Sequence, residues 1–141
     1  MKLIQLHHGR HCKVMAVKET KAGQEVCPVV DFLNNQPKET AASAKGFRAL
    51  FIRYSESGTN NLTTALFHEA NKEEKIWEFI KGRLRVYCFI DSNNQAIILA
   101  SCALKKGQKA PTRMIEEAVR IRERYLQDLE NNKTEIEATH D

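Results

Sequence analysis

The stretch KGRLRVYCFID, Lys81 to Asp91, decides how the chain folds. Side chains alternate between the faces of a strand. Leu84, Val86, Cys88 and Ile90 therefore share one face, and Arg83, Arg85, Tyr87 and Phe89 the other. An antiparallel sheet can bury one face and leave the other open. The stretch is thus expected to lie centrally in a sheet, with helices over Leu84 and its neighbours. Arg83, Arg85 and Tyr87 would then look into solvent or a groove. Two arginines two residues apart are about 7 Å apart along a strand, and planar guanidinium pairs well with phosphate oxygens. Tyr87 could stack on a base or exchange a proton. The plainer alternative is a solvated face with cross-strand ion pairs, for instance to Glu78.

Working outward, "KIWEFI" precedes this strand across a short "KGR" link, and "AIILASCAL" follows it across "DSNNQ". Asp and Asn tolerate left-handed backbone, so the second link is a turn and the three strands form an antiparallel meander. The basic loop "KKGQKAPTR" follows, with Lys105, Lys106, Lys109 and Arg113 as phosphate-binding candidates beside Lys81. Its glycine does not have P-loop spacing. A last helix starts at Pro111 or Thr112, with Ile115, Ala118, Val119, Arg122, Leu126 and Leu129 as its expected stripe.

Upstream, "KLIQL" and "CKVMAV" flank Gly9 and form a hairpin. Pro28 suits the first turn of a short helix, "PVVDFLNN". In "KETAASAKGFRALFIRYSESG", Phe47, Leu50, Phe51 and Tyr54 recur at helical spacing, and Gly58 stops the helix. The expected fold is α+β: one small domain over residues 1–130, in the order ββααβββα. Its twisted, mostly antiparallel sheet would carry its helices on one face. Residues 131–141 are expected to be an acidic, flexible tail.

The 141 residues carry a net charge of +4. Residues 126–141 hold one basic and five acidic side chains, which leaves +8 on residues 1–125. A basic body suits a polyanion such as nucleic acid. No run reaches the roughly 18 apolar residues of a membrane span, so no membrane role is expected. The start lacks the apolar block of a signal peptide, and the expected compartment is the cytoplasm. Scattered Cys12, Cys27, Cys88 and Cys102 read as buried free thiols. His7, His8, His11 and Cys12 are zinc-type donors. They sit around one tight turn with no second ligand cluster, so no metal site is expected.

The order "IWEF…LRVYCFID…AIILASCALKKGQKAP…IEEA", with "CPVVDFL" and "FRALFIRYSESG" upstream, resembles the RelE/HigB superfamily of toxins, in its HigB-like, phage-associated branch. The resemblance spans residues 26 to 126. It implies a small cytoplasmic endoribonuclease that needs no metal or other cofactor. Such a toxin cuts mRNA, usually on the ribosome, and is silenced by a cognate antitoxin of helix-turn-helix type. Attack by the RNA 2′-OH on the adjacent phosphate needs a base, an acid and cations for the charged transition state. Carried over, Arg85 matches the arginine of the branch's central strand, and Lys105 and Lys106 match its lysine pair. Arg83 joins Arg85 in charge stabilisation. Tyr87 and His68 are the proton-transfer candidates, an imidazole titrating near neutrality. Ile80 stands where the pattern has an arginine, with Lys81 beside it. That departure keeps open a catalytically weak relative that binds RNA or an antitoxin-like partner without cutting.

Overall fold

A computed structural model describes residues 1–91, 93, 95–107 and 111–138. The N-terminal hairpin consists of β1 (Lys2–His8) and β2 (Lys13–Lys21), and β3 (Gln24–Val26) folds back on the end of β2. Helices α1 (Pro28–Asn34) and α2 (Lys38–Ser57) follow. The meander is β4 (Phe67–Asn71), β5 (Ile76–Lys81), β6 (Leu84–Ile90) and β7 (Ala96–Leu104). Helix α3 (Thr112–Glu130) and β8 (Glu135–Ala138) close the chain's described part. The sheet order is β4-β5-β6-β7-β2-β1-β8, with β3 attached to β2. Neighbours are antiparallel except β2 with β7 and β1 with β8, which are parallel.

The α+β class, the two upstream helices and the central antiparallel meander agree with the sequence reading. So does the α2 stripe: Phe47, Leu50, Phe51 and Tyr54 are all buried. They pack on Phe67, Phe79, Leu84, Val86 and Cys88, and the rings of Phe51 and Phe79 meet edge to face at 5.1 Å. The four cysteines are free, and three of them are buried.

The expectation that the helices share one face is corrected. α1 and α2 cover the Leu84 face, while α3 crosses the other. There Ile115, Ala118, Ile121 and Tyr125 pack on Met15, Val17, Tyr87, Phe89 and Ile98. The sheet is a middle layer with a core on each side. That is why β7 opens with five consecutive buried apolar residues, Ala96 to Ala100, the pattern of a strand buried on both faces. The α3 stripe shifts accordingly: Leu126 and Leu129 are 45% and 43% exposed, and Tyr125 is 4% exposed. The acidic stretch differs too, since residues 135–138 pair with Lys2–Gln5 as strand β8. Residues 139–141 lie outside the described part.

Two glycines fix how the turns sit. Gly82, at φ +58°, joins β5 to β6, and a β-carbon there would lie 2.4 Å from Ser43 Oγ on α2. At Gly9 a β-carbon would lie 2.3 Å from the Ser55 carbonyl oxygen. The histidine turn is therefore pressed onto the end of α2, where the His11 and Cys12 amides donate to Ser55 O at 2.9 and 3.1 Å. Among the described residues, no helix is long and apolar enough to cross a membrane.

Candidate functional site

The start of β6 pairs with the end of β7, Arg85 opposite Ala103 and Leu84 opposite Leu104. The Lys105 amide then donates to Arg83 O at 2.7 Å. This register brings Arg83, Arg85 and Lys105 around one open hollow of about 470 Å³, with Gly107 on its border. Arg83 is exposed, and Arg85 and Lys105 are half-buried. Arg85 Nη1 donates to Gly82 O and Leu84 O at 2.8 and 2.9 Å, which holds the guanidinium against the β5–β6 turn. Its Nε is buried without a hydrogen-bond partner. Among the described residues, none of the three cations enters an ion pair with a carboxylate. Uncompensated cations in a concave site attract an anion.

The remaining basic candidates divide. Lys106 is exposed next to Lys105, and Arg113 is exposed on the first turn of α3. Neither lines the hollow. Lys81 pairs with Leu84, whose side chain joins the α2 core, and the Lys81 stem runs close to Gly46 of α2. It serves the opposite face. Lys109 lies outside the described residues.

The expected exposure of Tyr87 is corrected. It shares the face of Arg85, but α3 covers it completely, at 0% exposure. A ring sealed in this way cannot stack on a base. Burial raises the phenol pKa well above the usual tyrosine range, and the Glu78 carboxylate adds to the rise while Arg85 opposes it. The hydroxyl itself has no well-formed hydrogen bond.

Cross-strand pairing lines up His68, Glu78 and Tyr87 on neighbouring strands of this same face. His68 Nε2 lies 2.7 Å from Glu78 Oε1, and its Nδ1 donates to Thr64 O at 2.7 Å. Both ring nitrogens are thus taken up by protein acceptors. Glu78 is 5% exposed and is the one charged residue buried among those described. A buried carboxylate is costly unless paired, and His68 supplies the pair. The sequence reading gave Glu78 only as a surface ion-pair partner. Its inward face was nonetheless signalled, because it alternates with Trp77 and Phe79 and falls opposite Tyr87. The row lies two residues along the strands from Arg85, about 7 Å.

Taken together, the molecule is a layered α+β domain with an uncompensated cationic hollow at one end of its central strands. The family described as phage derived protein Gp49-like (DUF891) matches residues 31–123, and the chain belongs to it. This is a phage-derived, toxin-like family associated with toxin–antitoxin systems. The match includes Arg83, Arg85, Lys105, His68 and Glu78, and leaves out β1, β2, β3 and β8. A comparison with curated proteins finds no match.

Proposed function

We propose that this protein is the toxin of a toxin–antitoxin pair, an endoribonuclease related to the RelE/HigB superfamily that acts on mRNA in the cytoplasm. The hollow at Arg83, Arg85 and Lys105 carries this reading: three cations, with no carboxylate partner among the described residues, converge on one open hollow. In this reading the guanidinium groups hold the scissile phosphate. They stabilise the charge that builds as the 2′-OH attacks and the 5′-oxygen leaves. No cofactor is required by this scheme. The ribosome is the expected site of cutting, and an antitoxin of helix-turn-helix type the expected silencing partner.

A second reading, binding without cutting, is favoured by the state of the proton-transfer groups. Tyr87 is sealed beneath α3, and His68 has both nitrogens occupied. Cutting requires His68 to give up its contact with Thr64 O.

The experiment is induced expression in a bacterial host with Arg85→Ala and His68→Gln variants that circular dichroism shows to be folded. Growth arrest by the wild type, relieved by Arg85→Ala and accompanied by cleaved mRNA, supports the nuclease. Salt-sensitive RNA binding with intact RNA and normal growth supports the second reading. Arrest that persists in Arg85→Ala overturns both.

A further inference from the structure

The α1–α2 side of the sheet carries a groove of about 500 Å³ that the proposed chemistry does not use. Leu6 of β1 floors it, Val30 and Leu33 of α1 stand on one side, and α2 forms the other. Leu6, Val30 and Leu33 are half-buried and pack on a core that includes the buried Ala44 and Phe51 of α2. Helix lengths explain the opening. α1 has 7 residues and α2 has 20, which makes them about 10 and 30 Å long. The shorter helix cannot flank the longer one along its whole length, so apolar side chains between them stay partly wet. Ile52, 39% exposed, lies one turn beyond Arg48 on α2 and extends the apolar strip.

The charge on this groove has one sign. Lys45 and Arg48 line it from α2, and both are exposed. Neither enters an ion pair among the described residues, and no carboxylate is among the lining residues. Cations elsewhere are matched within the chain: Arg10 meets Glu56 at 3.3 Å, Arg122 meets Glu74 at 2.9 Å, and Lys18 meets Glu137 at 2.7 Å. An apolar strip open to water marks a contact surface. Unmatched cations beside it select an acidic occupant. Both conditions are met by an amphipathic helix laid in the groove, with apolar anchors at i, i+3 or i+4 and i+7 and carboxylates flanking them. From Ala44 to Phe51, α2 rises about 10 Å, the length of about two turns of such a helix. An RNA strand would meet the cations and leave Leu6 and Leu33 wet.

We infer that the groove between β1, α1 and α2 is where the silencing partner docks, through an acidic amphipathic helix of that protein. The inference rests on the toxin–antitoxin reading above and adds the place and chemistry of the contact. The groove residues belong to the core beneath α1 and α2, whereas Arg85 shares the opposite face of β6 with Tyr87. Partner and phosphate therefore use separate side chains. Substitutions can remove either contact and spare the other.

The probe is the purified product of the gene beside this one, titrated calorimetrically into the full chain. We expect a complex that the double variant Lys45→Glu/Arg48→Glu weakens about tenfold or more, because like charges then face each other. Leu33→Asp should weaken it as well. The charge pair is fully on the surface and decides the matter should Leu33→Asp fail to fold by circular dichroism. Arg85→Ala should bind the probe as the wild type does, and Lys45→Glu/Arg48→Glu should keep the wild-type affinity for a short oligoribonucleotide. Hydrogen exchange should show protection on α1 and on α2 between Ala44 and Ile52. No complex, a complex indifferent to Lys45, Arg48 and Leu33, or protection confined to the β5–β6 turn and Lys105 overturns the docking groove. Loss of oligoribonucleotide binding in Lys45→Glu/Arg48→Glu assigns the groove to RNA and overturns it too. Growth arrest with Arg85-dependent RNA binding, but no complex, sinks the groove alone. A complex that needs Lys45 and Arg48, from a chain that neither arrests growth nor binds RNA, sinks the nuclease reading alone.

Discussion

Arg85 and Tyr87 are neighbours on one face of β6, yet Arg85 borders an open hollow and Tyr87 is sealed. Nothing in the strand distinguishes the two positions. The difference is made by α3, which starts at Thr112, beyond the loop that leaves β7, and then runs across Tyr87 and Phe89. Ser101 Oγ donates to Met114 O at 2.8 Å and ties the helix's first turn to the sheet at that row. Cover therefore begins one strand row past the arginines. Alternation along a strand assigns each side chain to a face, and only the packing partner decides whether that face is wet.

The sharpest way to break this comparison is truncation of both residue types. Tyr87→Ala removes a fully buried ring and should lower stability by about 3 kcal/mol, the low end for losing a large aromatic side chain. Arg83→Ala should leave the thermal midpoint unchanged. Equal effects in a denaturant titration would refute the division. Binding should show the reverse order: Arg85→Ala should weaken RNA affinity and reduce the slope of log affinity against log salt by about one. Tyr87→Phe should not change that slope.

Alkaline pH probes the sealed side in a subtler way. Burial pushes the Cys12 thiol to about 11 and the Cys102 thiol to about 12. Below pH 9 these thiols are protonated in both folded and unfolded chains. Above pH 9 the unfolded chain ionises first and the folded chain holds more protons, so stability falls as pH climbs from about 9 toward 12. A urea midpoint that does not move between pH 8 and pH 10.5 would count against tight burial. The smallest effect expected is that of Tyr87→Phe on stability. It removes a hydroxyl that has no good partner and should change stability by less than about 0.5 kcal/mol in either direction.

The parts of the fold legible in the sequence were those set by local periodicity. The α2 stripe and the three central strands are examples, because one run of residues carries the whole signal. The position of α3 was not legible by the same route. Its outward Leu126 and Leu129 mimic a stripe, while Tyr125 and Ile121 do the packing. The apolar run Ala96 to Ala100 in β7, with Tyr87 and Phe89 on the second face, was the available clue to a two-sided core. At the site, the convergence of Arg83, Arg85 and Lys105 followed from hairpin order. Lys81 was misplaced because a residue next to a turn can belong to either face, and its pairing with Leu84 assigns it to α2. The engagement of His68 depends on Thr64, four residues earlier, and on Glu78, ten residues later and brought alongside only by strand pairing.

Strand β8 has a consequence for handling the molecule. It lies parallel to Lys2–Gln5 and carries Glu135 and Glu137 along the rim, with Lys18 bonded to Glu137 at 2.7 Å. A chain shortened after Glu130, where composition suggests a clean boundary, would bare the outer amides and carbonyls of β1. Bare margins of that kind recruit strands from other copies. The few residues that look most dispensable are thus an insulating selvage against self-association.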